Sequence, residues 1–152
     1  MHTQDPRHVG DIYLAFYIAK SGNLWDKTIS AIDGTKYSHV ELAVVRDDGR
    51  CDCYTSHSAE GGVRAKVLSL NPAKWDLFRI NDIDLKYALE VFEREKARKY
   101  DWLGLISTKV NWLPSNDKRW FCSELVAAML QIRRPHNQGI KDMLRWAEQN
   151  AK

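Results

Sequence analysis

The chain has 152 residues, of which 44% are hydrophobic and 28% are charged, so its composition is that of an ordinary globular protein rather than a disordered one. The formal net charge is +3, and the basic residues are spread along the chain instead of forming one dense cluster. These values predict a single domain over residues 1–152, and they argue against a nucleic-acid partner.

The sequence also bears on the cellular compartment. Residues 1–8 contain no apolar stretch of the kind that forms a signal peptide, and no apolar run approaches the length of a membrane span. The three cysteines are an odd number, so at least one thiol stays outside any intramolecular disulfide. We therefore expect a soluble protein of a reducing cytoplasm, encoded by a cell, a virus or a prophage, with its oligomeric state left open.

Strands dominate the first half of the predicted secondary structure. Runs rich in β-branched and aromatic residues predict strands over 11–18, 39–45, 51–56, 63–68 and 75–80, with one short helix over 23–32. The Asp48-Gly49 pair lies between the second and third strands and is typical of a two-residue hairpin turn.

Helices dominate the second half. Apolar residues at helical spacing predict helices over 84–99, 103–110, 121–132 and 140–149, and Asp82 or Asp84 can cap the first of them. Strands followed by helices indicate the α+β class, with an antiparallel sheet packed against helices.

Cys122 stands immediately before the apolar part of the predicted helix over 121–132. A thiolate at a helix N-terminus is stabilised by the helix dipole, and the free backbone amides there can bind an oxyanion. Cys122 is therefore a candidate nucleophile. The alternative is a buried structural cysteine, since free cysteines are often buried.

His39 opens the second predicted strand, and because side chains alternate along a strand, Glu41 lies on the same face as His39. A neutral imidazole next to a thiol can take its proton and activate the sulfur. His39 is thus a candidate base for Cys122, and the alternative is a surface or hydrogen-bonded histidine.

Several short motifs in a fixed order carry a resemblance to a known family. They are Gly10-Asp11-Ile12, Ser38-His39-Val40, Gly61-Gly62-Val63, Tyr100-Asp101-Trp102 and Phe121-Cys122-Ser123-Glu124-Leu125-Val126. In this pattern the chain resembles the permuted NlpC-type papain-like cysteine hydrolases, the YaeF/YiiX-like amidases, over roughly residues 10–130. Related permuted architecture occurs in lecithin:retinol acyltransferase-like enzymes. The resemblance implies a permuted papain-like fold in which His39 is the base and Cys122, later in the chain, is the nucleophile.

The third catalytic residue is where the sequence departs from that family. Its members carry a polar residue, often a glutamate, on the strand after the histidine, and here that strand contains no glutamate. A two-residue hairpin turn would place Ser56 opposite Glu41, whereas a slip of one residue would bring Thr55 and His57 instead. Glu41 and Ser56 are therefore the first candidates to orient His39, and His57 is the next.

A second group, Cys51, Cys53 and His57, has spacing that suggests a zinc site. No fourth ligand is evident, and two cysteines two positions apart on one strand point in parallel, which suits neither tetrahedral coordination nor a disulfide. We therefore predict no metal and no cofactor.

Together these features predict a thiol hydrolase that cleaves an amide bond in a peptide or peptidoglycan-like substrate through a Cys122-His39 acyl-enzyme. Two alternatives stay open: a thioesterase or acyltransferase acting on lipid-like acyl groups, and a non-catalytic ligand-binding module on the same fold. Contact between Cys122 and His39 would favour an enzyme, and side chains pointing apart would favour the binding module.

Overall fold

The computed structural model describes residues 7–22, 34–57, 62–97 and 117–151, and these residues form an α+β structure. The strands are β1 (Ile12–Ile18), β2 (Tyr37–Val45), β3 (Cys51–His57), β4 (Gly62–Leu68) and β5 (Trp75–Ile80). They pair antiparallel in one sheet of order β4-β3-β2-β1-β5. The predicted α+β class with an antiparallel sheet is confirmed.

Three α-helices follow the strands within the described ranges: α1 (Leu85–Ala97), α2 (Asp117–Met129) and α3 (Ile140–Asn150). Asp84 begins α1 as its cap, because its Oδ1 accepts a hydrogen bond from the backbone N–H of Tyr87 at 3.0 Å. The helices predicted over 23–32 and 103–110 lie outside the described residues. No helix in the described ranges combines the length and apolar character needed to cross a bilayer.

The helices cover one face of the sheet and form the main hydrophobic core with it. Buried residues of this core come from the strands and from all three helices: Leu14, Phe16, Val40, Leu42, Phe78, Val91, Phe92, Val126, Met129 and Met143. The opposite face carries a smaller buried cluster that includes Tyr13, Ala15, Ala43 and Cys53. Burial on both faces explains why β1 and β2 read as nearly continuous apolar runs instead of alternating ones.

Between β2 and β3, Arg46 and Arg50 pair with each other and enclose a turn of three residues, 47–49, rather than the two predicted. The N–H of Arg46 donates to the carbonyl of Arg50 at 2.8 Å, and the N–H of Gly49 donates to the carbonyl of Arg46 at 3.1 Å. Gly49 has a φ of 80°, which is the left-handed conformation that glycine provides at the last position of such loops.

This longer loop shifts the pairing of β2 and β3 by one residue. Leu42 pairs with Tyr54, and continuing that register brings Thr55 beside Glu41. Ser56 then lies on the other face of the sheet, because adjacent residues of a strand alternate. The register of a two-residue turn, with Ser56 opposite Glu41 on the same face, was therefore wrong. The alternative, a slip of one residue that brings Thr55 and His57 to this face, is the register observed.

A β-bulge in β2 positions the start of the strand. Tyr17 of β1 pairs with His39, whereas the next residue, Ile18, pairs with Tyr37, so Ser38 is the extra residue. A bulge re-aims the side chains on either side of it. Tyr37 consequently lies in the core beneath the helices, while His39 shares the opposite face with Glu41.

Candidate active site

His39 lies in a row of aromatic side chains that crosses the sheet. Its ring centroid is 5.0 Å from that of His57 on β3 and 6.5 Å from that of Trp75 on β5. Tyr17 lies between them on β1 and packs against Trp75 at 5.1 Å. The His39 side chain is only 12% exposed, so these rings shield its imidazole from water.

Glu41 is the carboxylate that contacts the imidazole. Nε2 of His39 lies 3.0 Å from Oε1 of Glu41, and the Glu41 side chain is 1% exposed. His57 touches His39 through its ring, and Ser56 lies on the other face of the sheet. Of the three residues considered as orienting partners, Glu41 is thus the one whose oxygen meets the ring nitrogen.

Cys122 brings the second half of the chain to this site. Helix α2 packs on β2 and β3, and the side chain of Cys122 shares a hydrogen bond with that of His39. Cys122 is 2% exposed and is one of the buried residues of the main core. His39 therefore contacts a thiol and a carboxylate at once.

The contacts of His39 govern its charge. Burial lowers the pKa of His39, but the hydrogen bonds with Cys122 and Glu41, together with their electrostatic attraction, outweigh burial and raise that pKa to about 9. At neutral pH the imidazole is therefore protonated, and it forms an ion pair with Glu41.

Arg64 on β4 is the second partner of Glu41. Its Nη2 lies 2.6 Å from Oε1 and its Nη1 lies 3.2 Å from Oε2, in the bidentate arrangement that suits a carboxylate. Burial raises the pKa of Glu41, but the contacts with His39 and then Arg64 outweigh it and hold that pKa at about 2. Glu41 consequently stays ionised even though it is buried.

Sequence reasoning missed Arg64. Arg64 pairs with Thr55, and Thr55 lies beside Glu41, so the ion pair spans three strands. Its position follows from two strand registers in succession, and the sequence left the first of these open between a two-residue turn and a slip of one residue. Given the correct hairpin loop, the alternation of Arg64 and its neighbours would have placed it on the Glu41 face.

The position of Cys122 in its helix differs from the predicted one. Helix α2 begins at Asp117, so Cys122 is the sixth residue of the helix and lies in its second turn. Lys118 and Arg119 are good helix formers, which explains how the helix extends beyond the apolar run. Only the first four N–H groups of a helix lack internal partners, so the prediction that Cys122 stands at the start of its helix, beside these free amides, was wrong.

The other two cysteines lie on β3, on the same face of the sheet as Glu41. Cys51 and Cys53 are fully buried, and Sγ of Cys53 donates to the carbonyl of Cys51 at 3.6 Å. Burial, and then the charge of Glu41, raise the pKa of the Cys53 thiol well above its usual range. All three cysteines of the chain are free thiols, and no group of three or more His, Cys, Asp or Glu residues in the described ranges is placed to hold a metal ion.

Comparison of the chain with models of protein families, with curated proteins and with solved structures found no match.

Proposed function

We propose that this chain is a thiol hydrolase of the permuted papain-like (NlpC-type) fold, which cleaves an amide bond in a peptide or peptidoglycan-like substrate. The observation that supports this proposal is the contact series from the thiol of Cys122 through the imidazole of His39 to the carboxylate of Glu41. In thiol hydrolysis these three groups serve as nucleophile, base and orienting residue.

The first half of the proposed reaction forms an acyl-enzyme. His39, which is protonated at neutral pH, holds the proton that the Cys122 thiol gives up, and the sulfur attacks the carbonyl carbon of the amide to form a C–S bond. The tetrahedral intermediate collapses as His39 returns the proton to the leaving nitrogen and the C–N bond breaks. The products of this half are a free amine and a thioester on Cys122.

The second half releases the acyl group. A water molecule gives a proton to His39 and attacks the thioester carbonyl, after which the C–S bond breaks and the sulfur takes the proton back. Glu41 contacts Nε2 of His39, which leaves Nδ1 to serve the sulfur and the water. The charge of Glu41 also stabilises the imidazolium that forms in each half.

The same three residues would serve a thioesterase or acyltransferase acting on lipid-like acyl groups, because the acyl-enzyme is a thioester in every case. A non-catalytic binding module has no need for a protonated imidazole held between a thiol and a buried carboxylate. The contacts of His39 therefore favour the enzyme over the binding module.

The nucleophile is tested by alkylation with iodoacetamide at pH 7, a small electrophile chosen because Cys122 is only 2% exposed. We expect modification of the Cys122 peptide, measured by mass spectrometry, to be lost in Cys122→Ala and retained in Cys51→Ala and Cys53→Ala. Alkylation of the folded protein that is unchanged in Cys122→Ala would contradict the assignment.

The substrate class is tested by comparing turnover of peptide amides, esters and thioesters by the wild type and by Cys122→Ala. We expect amide cleavage that depends on Cys122. Turnover confined to esters and thioesters would replace the amidase by the thioesterase or acyltransferase, and turnover of none would favour the binding module.

A further inference from the structure

We propose that Arg64 is a positioning residue of the site, which holds the carboxylate of Glu41 in line with His39 while His39 gains and loses its proton. The catalytic part of this inference rests on the proposed function. The contact between Arg64 and Glu41 can be tested without it.

The spacing of the strands makes a long side chain necessary at this position. Glu41 lies on β2 and Arg64 on β4, with Thr55 of β3 between them. Neighbouring strands are about 4.8 Å apart, so the side chains must close a gap of roughly 10 Å between the two backbones. The extended guanidinium of Arg64 closes it and reaches both oxygens of Glu41, at 2.6 and 3.2 Å.

Both oxygens of Glu41 are needed to fix its plane. Oε1 lies within hydrogen-bond distance of both His39 and Arg64, and Oε2 accepts from Arg64. A carboxylate held by His39 alone could rotate about its terminal torsion, which is soft. The guanidinium removes this freedom, and it is itself held, since Nη1 of Arg64 lies 3.5 Å from the carbonyl of Cys53.

Charge gives Arg64 its second effect. The titratable and charged groups that face Glu41 from the described strands are His39 on β2, Cys53 on β3 and Arg64 on β4. Of these three, Arg64 is permanently charged, His39 changes charge in the proposed cycle, and the buried Cys53 stays a neutral thiol. With Arg64 in place, the negative charge of Glu41 stays paired with a positive charge even when His39 is neutral. The proton therefore moves between His39 and the reacting atoms and does not shift to Glu41.

The test measures the titration of Glu41 by carbon NMR of its side-chain carboxyl, assigned with Glu41→Gln. We expect Arg64→Gln to raise the titration midpoint of Glu41 by roughly one to three pH units, and Arg64→Lys to raise it less. The matched control is Arg79→Gln, since Arg79 lies on the edge strand β5 and pairs with Asp11 at 2.8 Å. This control removes an arginine–carboxylate pair but should leave the titration of Glu41 unchanged.

The rate of Cys122 alkylation gives the second readout. We expect it to fall in Arg64→Gln, to recover in part in Arg64→Lys, and to stay at the wild-type value in Arg79→Gln. A Glu41 midpoint that is the same in Arg64→Gln and wild type overturns the role of Arg64, whatever happens at Cys122.

Two further outcomes separate this inference from the proposed function. If Cys122 of the wild type is not alkylated but the Glu41 midpoint still rises in Arg64→Gln, the hold of Arg64 on Glu41 is supported and the thiol hydrolase is contradicted. If Arg64→Gln does not fold, Arg64→Lys decides the question. A Glu41 titration midpoint and a Cys122 labelling rate that both equal those of the wild type would show that the guanidinium is not needed to position Glu41.

Discussion

Cys53 and Cys122 are equally buried, yet their electrostatic surroundings are opposite. Cys53 is fully buried beside the carboxylate of Glu41, and burial followed by that negative charge raises its pKa. Cys122 is 2% exposed, but its neighbour is the imidazole of His39, which carries a proton at neutral pH. The two thiols are therefore alike in burial and differ in the charge of the group beside them, which is the property that controls the reactivity of cysteines.

One carboxylate acts on both thiols. Glu41 opposes ionisation of Cys53 directly, whereas towards Cys122 it acts through His39, whose positive charge it stabilises. Because His39 contacts both Glu41 and Cys122, the charged group next to Cys122 is the positive imidazole and not the negative carboxylate. The difference between the two cysteines should depend on His39 more than on any other residue described.

The largest expected effect is therefore that of His39→Ala on the alkylation of Cys122. General-base groups contribute about a hundredfold or more to reactions of this kind, so we expect the rate at pH 7 to fall by roughly 10²-fold. Labelling kinetics followed by peptide mass spectrometry measure it.

His57→Ala is the matched control, since His57 touches the same ring at 5.0 Å but lies on β3. We expect a labelling rate close to wild type in this variant. Equal losses in the two variants would mean that the labelling rate of Cys122 depends on the packing of the aromatic side chains around His39, and that the imidazole of His39 has no specific role towards Cys122.

A smaller effect is expected on stability as pH changes. The pKa of His39 rises from 6.5 to about 9 on folding, so its contribution is fully present below pH 6.5 and is lost as pH rises through 9. The pKa of Glu41 falls from 4.5 to about 2, so its contribution is present above pH 4.5 and is lost as pH falls through 2. Together they predict maximal stabilisation by this pair between pH 4.5 and 6.5.

Chemical denaturation at a series of pH values measures this dependence. His39→Gln should lose the decline in the free energy of unfolding between pH 6.5 and 9. It should keep the decline above pH 9 that follows from the raised pKa of the buried Cys53 thiol, whose ordinary pKa is 9.0. Parallel curves for His39→Gln and wild type between pH 6.5 and 9 would show that His39 carries no charge in the folded protein.

Local sequence patterns were enough to predict much of the fold and part of the site. Strand β5 begins and ends where its apolar and aromatic run predicted, and strand alternation placed His39 and Glu41 on one face. Both inferences depend on residues that are close in sequence, for which the period of the strand is a sufficient guide.

The failures all involve registers or boundaries that local pattern does not determine. Asp48-Gly49 fits a two-residue turn, but Gly49 closes a three-residue loop. The first choice of register, which put Ser56 opposite Glu41, therefore failed, and the alternative slip of one residue is the register observed. The start of α2 at Asp117 was missed because its first turn is polar, whereas the prediction began where apolar residues do.

The smallest expected effect is that of Cys53→Ala, and it tests whether Cys53 affects the reactivity of Cys122. The variant loses the hydrogen bonds of the Cys53 side chain with the carbonyl of Cys51 and with Glu41 and leaves a small void, which together should lower the free energy of unfolding by about 1 kcal/mol. Because the Cys53 thiol is neutral, removing it leaves the charges around His39 unchanged, so the labelling rate of Cys122 should stay at the wild-type value. Cys51→Ala controls for the loss of a buried sulfur from the same strand. A fall in Cys122 labelling in Cys53→Ala that Cys51→Ala does not share would show that the contact of Cys53 with Glu41 also affects Cys122.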